Sequence, residues 1–334
     1  MVSAVIFVAT SCVSPLTGFA FWETNLAYEG ESIYNYLQVK NLSDRTILST
    51  NVLFGVQSVT MKDKGLTGMY CDTALAAPAL ADNANSALIL GMGTGTYARQ
   101  LKQYYPKMNI TGVEIDQKIT DLAGEYFDEP ADIPVTTYDG RAWLAASHDK
   151  YDVIMVDAYQ DITIPFQMSS TEFFTMVREH LNPGGVMVVN MNMISDGQGS
   201  INEALSDTIA SVFGNGNTLT ADVPNTTNRE LFAKKPGSGS EENSMQQASK
   251  ALNLRETTYE RTGSEDLEWY MEEVASRFRK VNEPDSASTI LTDDKAPVEV
   301  LGMHAIDQII ADEAGPYRQI LKDEGFGGLL RAVQ

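Results

Sequence analysis

Cysteine, histidine and positive charge are all scarce in this sequence. Two cysteines, Cys12 and Cys71, cannot build a disulfide framework or a four-cysteine zinc site, and their scarcity fits a reducing compartment. The histidines, His148, His180 and His304, stand far apart with no HxH or HxxxH pair, so no metal centre is expected. Lys and Arg number 24 against 45 Asp and Glu, a formal net charge of −21. Nothing supplies the clustered cations that binding to a phosphate backbone requires, which excludes nucleic acid as a partner and permits a cationic small molecule. Internal repeats are absent as well. What is present is 334 residues with 43% hydrophobic side chains, too apolar for a disordered chain and long enough for one large or two medium domains.

Residues 1–22 carry no charge, and the first charged group is Glu23. No Lys or Arg precedes the run, so a signal peptide's basic region is missing, and Ser3, Thr10, Ser11, Ser14, Pro15 and Thr17 dilute its apolar character. Three readings stay open: a membrane anchor or last span of a larger membrane protein, a degenerate signal segment, or a buried terminal element. The expectation carried forward is possible membrane anchoring here, with the rest of the chain on the cytoplasmic side.

Residues 28–60 hold short β-rich runs (33–39, 46–48 and 52–54) punctuated by Asn, Ser, Asp and Gly, which predicts a small antiparallel sheet. Residues 70–80 read as helix. From Ala87 apolar strands (87–90, 110–115, 135–138, 153–156 and 186–190) alternate with helical patterns at 96–105, 117–127, 141–147 and 171–181. That alternation predicts an α/β fold with a doubly wound parallel sheet. Asn182-Pro183-Gly184-Gly185 reads as a turn, 235–243 as a Gly/Ser-rich surface link, 245–281 as helix, 289–300 as extended, and 303–313 and 315–323 as terminal helices. The expected division is an apolar segment (1–22), a small N-terminal β-domain (23–65), a Rossmann-like nucleoside-binding domain (66–235) and a linker with helical extension (236–334).

The chemistry concentrates at strand ends. Leu88-Ile89-Leu90-Gly91-Met92-Gly93-Thr94-Gly95-Thr96 runs a buried strand through a glycine-rich turn into a helix N-terminus, where a nucleoside can approach without Cβ clashes. The spacing fits GxGxG and fails GxGxxG at Thr96, which points away from NAD and towards S-adenosylmethionine-type ligands. Gly112-Val113-Glu114-Ile115-Asp116 ends the next strand, with Glu114 placed to accept both ribose hydroxyls and Asp116 better suited to capping the helix that follows. Asp139 ends the third strand, where it can accept from an adenine amino group, cap a helix, or do both, while Gly140 lets the backbone pass close. Asp157 ends the fourth strand, in the crevice where α/β sheets bind ligands, and is the candidate general base.

The set resembles the spermidine synthase (polyamine aminopropyltransferase) family. The stretches that carry the resemblance are ESIYNYLQV (31–39), FGVQS (54–58), GMYCD (68–72), LILGMGTGT (88–96), GVEID (112–116), YDGRAWL (138–144), YDVIMVDAY (151–159), IPFQMSSTEFF (164–174) and LNPGGV (181–186). LTDDKAPVEVL (291–301) adds a match to the branch whose enzyme domain follows transporter-like membrane helices. The resemblance implies a small N-terminal β-domain, a Rossmann-like, methyltransferase-like core and a homodimer. It also implies transfer of an aminopropyl group from decarboxylated S-adenosylmethionine to a diamine such as putrescine, with methylthioadenosine leaving and no metal involved.

Carried over by position, Glu114 and Ile115 with Gly91, Gly93, Thr94 and Gly95 would hold the nucleoside, and Asp139 and Gly140 the adenine. Gln57 and Tyr70 would line the pocket. Asp157, with Tyr70 and Asp161, would serve the attacking amine, and Asp72 and Tyr159 the polyamine substrate. The sequence departs from the family at Thr94, where an Asp usually grips the aminopropyl ammonium; at Gln160, where a second Asp is usual; and at Leu66-Thr67-Gly68 and Cys71-Asp72, which thin the acidic, polycation-gripping half. These departures keep two rivals in view: an S-adenosylmethionine-dependent methyltransferase of a small amine or metabolite, and a weakly catalytic nucleoside- or polyamine-sensing domain. Among the remaining residues, Tyr159 and Phe166 read as packing or stacking side chains, Trp143, Met191 and Met193 as packing, Cys71 as a buried small residue, and Asp293 and Asp294 as site or cap residues.

Overall fold

The computed structural model describes residue 20, residues 23–51, 55–128, 130–158, 164–192, 199–237, 244–284, 288–304 and residue 322. The apolar segment 1–22 therefore lies outside the described residues save for Ala20, and among the described residues no helix is long and apolar enough to cross a membrane.

Strands β1 (Leu26–Glu31), β2 (Tyr36–Asn41), β3 (Arg45–Thr50) and β4 (Ser58–Met61) form an antiparallel sheet in that order. The run expected to begin at Ile33 starts instead at Tyr36. Ser32 Oγ accepts from the Tyr34 and Asn35 N–H groups, closing a tight turn that leaves Ile33 90% exposed. The run 52–54 lies outside the described residues. Leu37, Val39 and Leu48 alternate onto one face and pack against Ile119, Leu122 and Phe127, so this sheet is held to the rest of the chain through a helix of the larger layer.

Two short helices, α1 (Tyr70–Ala74) and α2 (Ala76–Leu80), lead into the alternating region. It comprises β5 (Ser86–Leu90), α3 (Thr96–Tyr104), β6 (Asn109–Glu114), α4 (Gln117–Tyr126), β7 (Val135–Thr137), α5 (Gly140–Ala146), β8 (Tyr151–Val156), α6 (Thr171–His180), β9 (Leu181–Met191) and α7 (Ile201–Phe213). Strands β5 to β9 pair in parallel in the order β7-β6-β5-β8-β9, each crossover carrying a helix. The chain runs outward from β5 to β7 and then crosses to the other side of β5, so β5 and β8 flank the switch point where such sheets bind ligands. Burial on both faces explains why β8 and most of β9 read as unbroken apolar runs.

The sheet extends beyond the expected parallel strands. Strands β10 (Thr218–Asp222) and β11 (Arg229–Lys234) form a hairpin that pairs antiparallel with β9 through β11. The expected turn at Asn182-Pro183-Gly184-Gly185 is absorbed into β9, whose pairing slips from Tyr151↔Leu181 to Val153↔Val186 across it. The single helix expected over 245–281 is three: α8 (Ser244–Ala248), α9 (Ala251–Thr262) and α10 (Glu265–Arg277), followed by edge strand β12 (Phe278–Lys280) on β10. Gly263 ends α9 in the left-handed region and Ser264 caps α10 by accepting from Leu267 N–H. The segment expected to be extended to Val300 turns helical at 298, and the terminal helices fall almost wholly outside the described residues.

One apolar layer, with Tyr97 and Leu101 of α3, Leu254 of α9 and Met271 of α10, covers one face of the large sheet. Leu144, Phe173, Phe174 and Ile209 cover the other, with Trp143 packed against them as expected.

Candidate active site

A cavity of about 190 Å³ opens at the carboxyl ends of β5, β6 and β8, between the large sheet and the small one. Gln57, Tyr70, Gly91, Gly93, Glu114, Ile115, Asp139, Gly140 and Asp157 line it, so most of the residues singled out in the sequence converge there. No Lys, Arg or His is among its described lining residues.

The turn after β5 brings the two halves together. Gly91 has φ +87°, and a Cβ there would lie 2.2 Å from the Asp157 carbonyl oxygen, so only glycine lets β5 and β8 end side by side. Asp157 N–H donates to Leu90 O across that junction at 2.9 Å. At Gly93, φ +54°, a Cβ would strike Ser58 Oγ at 2.7 Å. Thr96 Oγ1 accepts from Val59 N–H and donates to Val59 O, fixing β4 against the first turn of α3.

Glu114 is buried at the end of β6, where Oε2 accepts from Gly93 N–H at 2.7 Å and Oε1 from Asp116 N–H at 3.0 Å. Burial raises its proton affinity above that of an ordinary carboxyl, and these two backbone donors oppose the rise. Asp116 takes the capping role: Oδ1 accepts from Lys118 N–H, and Oδ2 accepts from Ser32 Oγ and Asn35 Nδ2, which docks the β1–β2 turn on the cavity rim. Asp139 caps α5 through Ala142 N–H at 2.8 Å while also lining the cavity, so both of its expected placements coexist. At Gly140 a Cβ would meet Met168 and Leu90 no closer than 3.6 Å, so packing within the protein does not demand glycine there.

Asp157 is held from two sides. The Tyr70 hydroxyl donates to Oδ2 at 2.5 Å and Asn190 Nδ2 donates to Oδ1 at 2.9 Å. Burial pushes its carboxyl above the usual range, and the Tyr70 and Asn190 hydrogen bonds pull it back. Burial, then the Asp157 charge, push the Tyr70 phenol well above its ordinary value, so it stays a donor. A desolvated carboxylate fixed in this way can accept a proton from an amine in the cavity.

Other expected site residues fall elsewhere. Asp72 is fully buried and does not line the cavity; its carboxylate accepts from Thr67 N–H and Oγ1 and from Gly68 N–H, so it braces the turn before α1 rather than meeting a substrate. Thr94 is fully buried behind the loop, its N–H on Ser58 Oγ, and Gly95 is the cap residue of α3; neither lines the cavity. Asp161, Tyr159, Gln160 and Met193 lie outside the described residues. Phe166 is exposed rather than packed, and Met191 is buried as expected. Asp293 neither reaches the cavity nor caps a helix. It pairs with Arg141 at 2.6 Å and accepts from Ser170 Oγ, and Arg141 also donates to Gln167 O, which steadies the Gln167–Met168 wall.

Sequence reasoning missed Asn190, whose signal was an amide inside the apolar run VMVVNM, and Glu230, a lone acid in the otherwise buried strand RELFAK. Cys71 lines the cavity wall, and burial pushes its thiol well above the ordinary value, as an inert buried residue requires.

Residues 71–235 match the family model described as the spermine/spermidine synthase domain. The whole chain is 99% identical to a "Probable polyamine aminopropyl transferase" of Bifidobacterium longum, of which it covers 75%. Over 209 residues it is 28% identical to a polyamine aminopropyltransferase of Vibrio vulnificus, covering 60% of this chain and 69% of that one. Among solved structures, a probable spermidine synthase from Corynebacterium glutamicum superposes with a TM-score of 0.56 at 21% identity, covering 80% of this chain and 99% of that chain.

Proposed function

The chain belongs to the polyamine aminopropyltransferase family, and on that footing we propose that it moves an aminopropyl group from decarboxylated S-adenosylmethionine to a diamine such as putrescine. The observation that carries the proposal is Asp157: a half-buried carboxylate held by Tyr70 and Asn190, facing the same cavity as the nucleoside-side groups Glu114 and Asp139. Glu114 accepts the ribose hydroxyls, Asp139 the adenine amino group, and Gly91, Gly93, Ile115 and Gln57 shape the pocket around them. Asp157 takes the proton of the attacking ammonium; the freed nitrogen lone pair forms the new bond to the propyl carbon while the carbon–sulfur bond breaks. The bonding pair returns to sulfur and neutralises the sulfonium, so the thioether leaves without acid assistance. Catalysis is then mainly orientation of a desolvated amine in line with the breaking bond.

The organisation proposed with this reading is the one given by the sequence: a β-domain over 23–65, the nucleoside-binding unit over 66–235 and the extension over 236–334. To it belong a place in the branch that follows membrane helices, anchoring through residues 1–22 with the catalytic part in the cytoplasm, and a homodimer. Membrane flotation with and without residues 1–22 tests the anchor, and sedimentation tests the dimer.

The function is tested by incubating the protein with putrescine and decarboxylated S-adenosylmethionine and assaying methylthioadenosine and spermidine. Methylated product from S-adenosylmethionine with no spermidine would replace the reading by a methyltransferase. Failure to bind either nucleoside would remove both enzyme readings.

A further inference from the structure

Glu230 is the second residue of β11. Register sets it opposite Asn190 of β9 and Ala221 of β10, and directly opposed residues share a sheet face. Glu230 therefore projects from the same face as Asn190, the residue that donates to Asp157. It is fully buried, and neither of its carboxyl oxygens has a hydrogen-bond partner among the described residues. Tyr70, Cys71 and Tyr97, which face it from α1 and α3, and Asp157 from the end of β8, interact with it electrostatically, and all four line the cavity. Glu230 itself does not line it, so it stands behind that wall.

A buried carboxyl with no donor is rare in a native interior and calls for a reason. Within the pair, the charge rests on Asp157, which has two donors, and the proton on Glu230, which has none; burial, and then the Asp157 charge, keep it there. The neighbouring phenols and thiol are neutral for the same reason of burial, and the described residues of the cavity lining supply no cation.

Resting on the aminopropyl-transfer reading, we propose that Glu230 selects a dicationic acceptor: neutral behind the cavity wall before the acceptor binds, it ionises when a second positive charge enters. The proton passes from the Glu230 carboxyl to bulk water, no bond to the substrate forms, and the resulting carboxylate balances the ammonium that does not react. Glu230 acts through the field across the cavity wall, as a positioning residue.

The test is calorimetric titration of the methylthioadenosine-saturated protein with 1,4-diaminobutane and with butylamine, in phosphate and in Tris so that proton release is counted. The wild type is expected to prefer the diamine at least tenfold, about 1.4 kcal/mol, and to release more protons with it than with the monoamine. Glu230→Gln is expected to bring the ratio close to one and to lose the extra proton, with butylamine and methylthioadenosine affinities unchanged. Glu230→Leu, which removes the unpaired polar group altogether, is the second variant, with the same selectivity loss and undiminished thermal stability. A wild-type ratio and proton count in either folded variant would overturn the proposal and leave the aminopropyl-transfer reading intact. A wild type that binds methylthioadenosine but neither amine would overturn both.

Discussion

Replacing Asp157 by Asn exchanges one carboxylate oxygen for an amide group at nearly constant volume. Asn190 Nδ2, 2.9 Å from Oδ1, keeps its acceptor. The Tyr70 hydroxyl, 2.5 Å from Oδ2, turns from donor to acceptor. What disappears is the base, and loss of a positioned base costs about 10²–10⁴ in rate, or about 2.7–5.4 kcal/mol of barrier. Stability moves the other way. Burial raises the folded-state proton affinity of Asp157 above the ordinary value of 3.8, so at neutral pH its charge works against the fold. That cost is absent below pH 3.8 and grows as pH rises through the folded-state value; the amide never carries it. The variant is therefore expected to lose turnover, measured as methylthioadenosine release, while its Tm at pH 7 equals or exceeds the wild type's. Methylthioadenosine affinity by calorimetry should hold within a few-fold. A fall in kcat below tenfold, a parallel loss of nucleoside affinity, or a lower Tm at pH 7 would refute the assignment.

Tyr70→Phe removes a hydrogen bond that lowers the Asp157 carboxyl, so the acidic limb of the kcat/KM pH profile should move to higher pH; an unmoved or lowered limb would refute the coupling. Glu114→Gln sets an amide N–H against one of two backbone donors, from Gly93 and Asp116, and should weaken methylthioadenosine binding about 10- to 100-fold in calorimetry, about 1.4–2.7 kcal/mol. Asp72→Ala strips the acceptor from Thr67 N–H, Thr67 Oγ1 and Gly68 N–H and should cost about 2–3 kcal/mol in denaturant unfolding with nucleoside affinity intact; a selective loss of amine binding instead would return Asp72 to the site.

The parts of the fold legible in the sequence are those governed by local rules. Strand ends followed by Gly, Asp or Ser mark where the sheet stops, and the cavity forms where those ends meet; hence Gly91, Glu114, Asp139 and Asp157 could be placed together before any coordinates. Gly263-Ser264 is also a local stop-and-start signal, and it divides a region whose Glu- and Arg-rich composition reads as one helix. Asp72 shows the opposite limit: the family resemblance carries it to the substrate through Tyr70-Cys71-Asp72, yet the donors that claim it, in Thr67 and Gly68, are set by a turn conformation that no motif match reveals. Asn190 and Glu230 stand out locally as polar residues in apolar strands, but their juxtaposition came only through register, because β9 and β11 pair antiparallel across about 40 residues of intervening chain and nothing local announces that pairing.

The same electrostatics bear on the donor, where Thr94 raises the question of how a decarboxylated ligand is told from its parent. Thr94 is buried behind the loop and is not among the described lining residues of the cavity, so it does not grip an ammonium or repel a carboxylate there by contact. On the proposed reading, discrimination comes from the cavity as a whole. Asp157 and Glu114 border it, their partners are hydroxyl, amide and backbone N–H dipoles, and no Lys, Arg or His among the described lining residues offers a counter-charge. A carboxylate on the ligand about 6–8 Å from Asp157, at an effective dielectric of about 20, is repelled by about 2–3 kcal/mol, or about 30- to 100-fold in affinity. The decarboxylated ligand lacks that charge and keeps its ammonium, so calorimetry on the wild type should favour it by this factor. Asp157→Asn should shrink the preference by removing one of the two bordering charges. Equal affinities for the two ligands, or tighter binding of S-adenosylmethionine, would mean that a cation from outside the described residues completes the site, and the charge argument would fail.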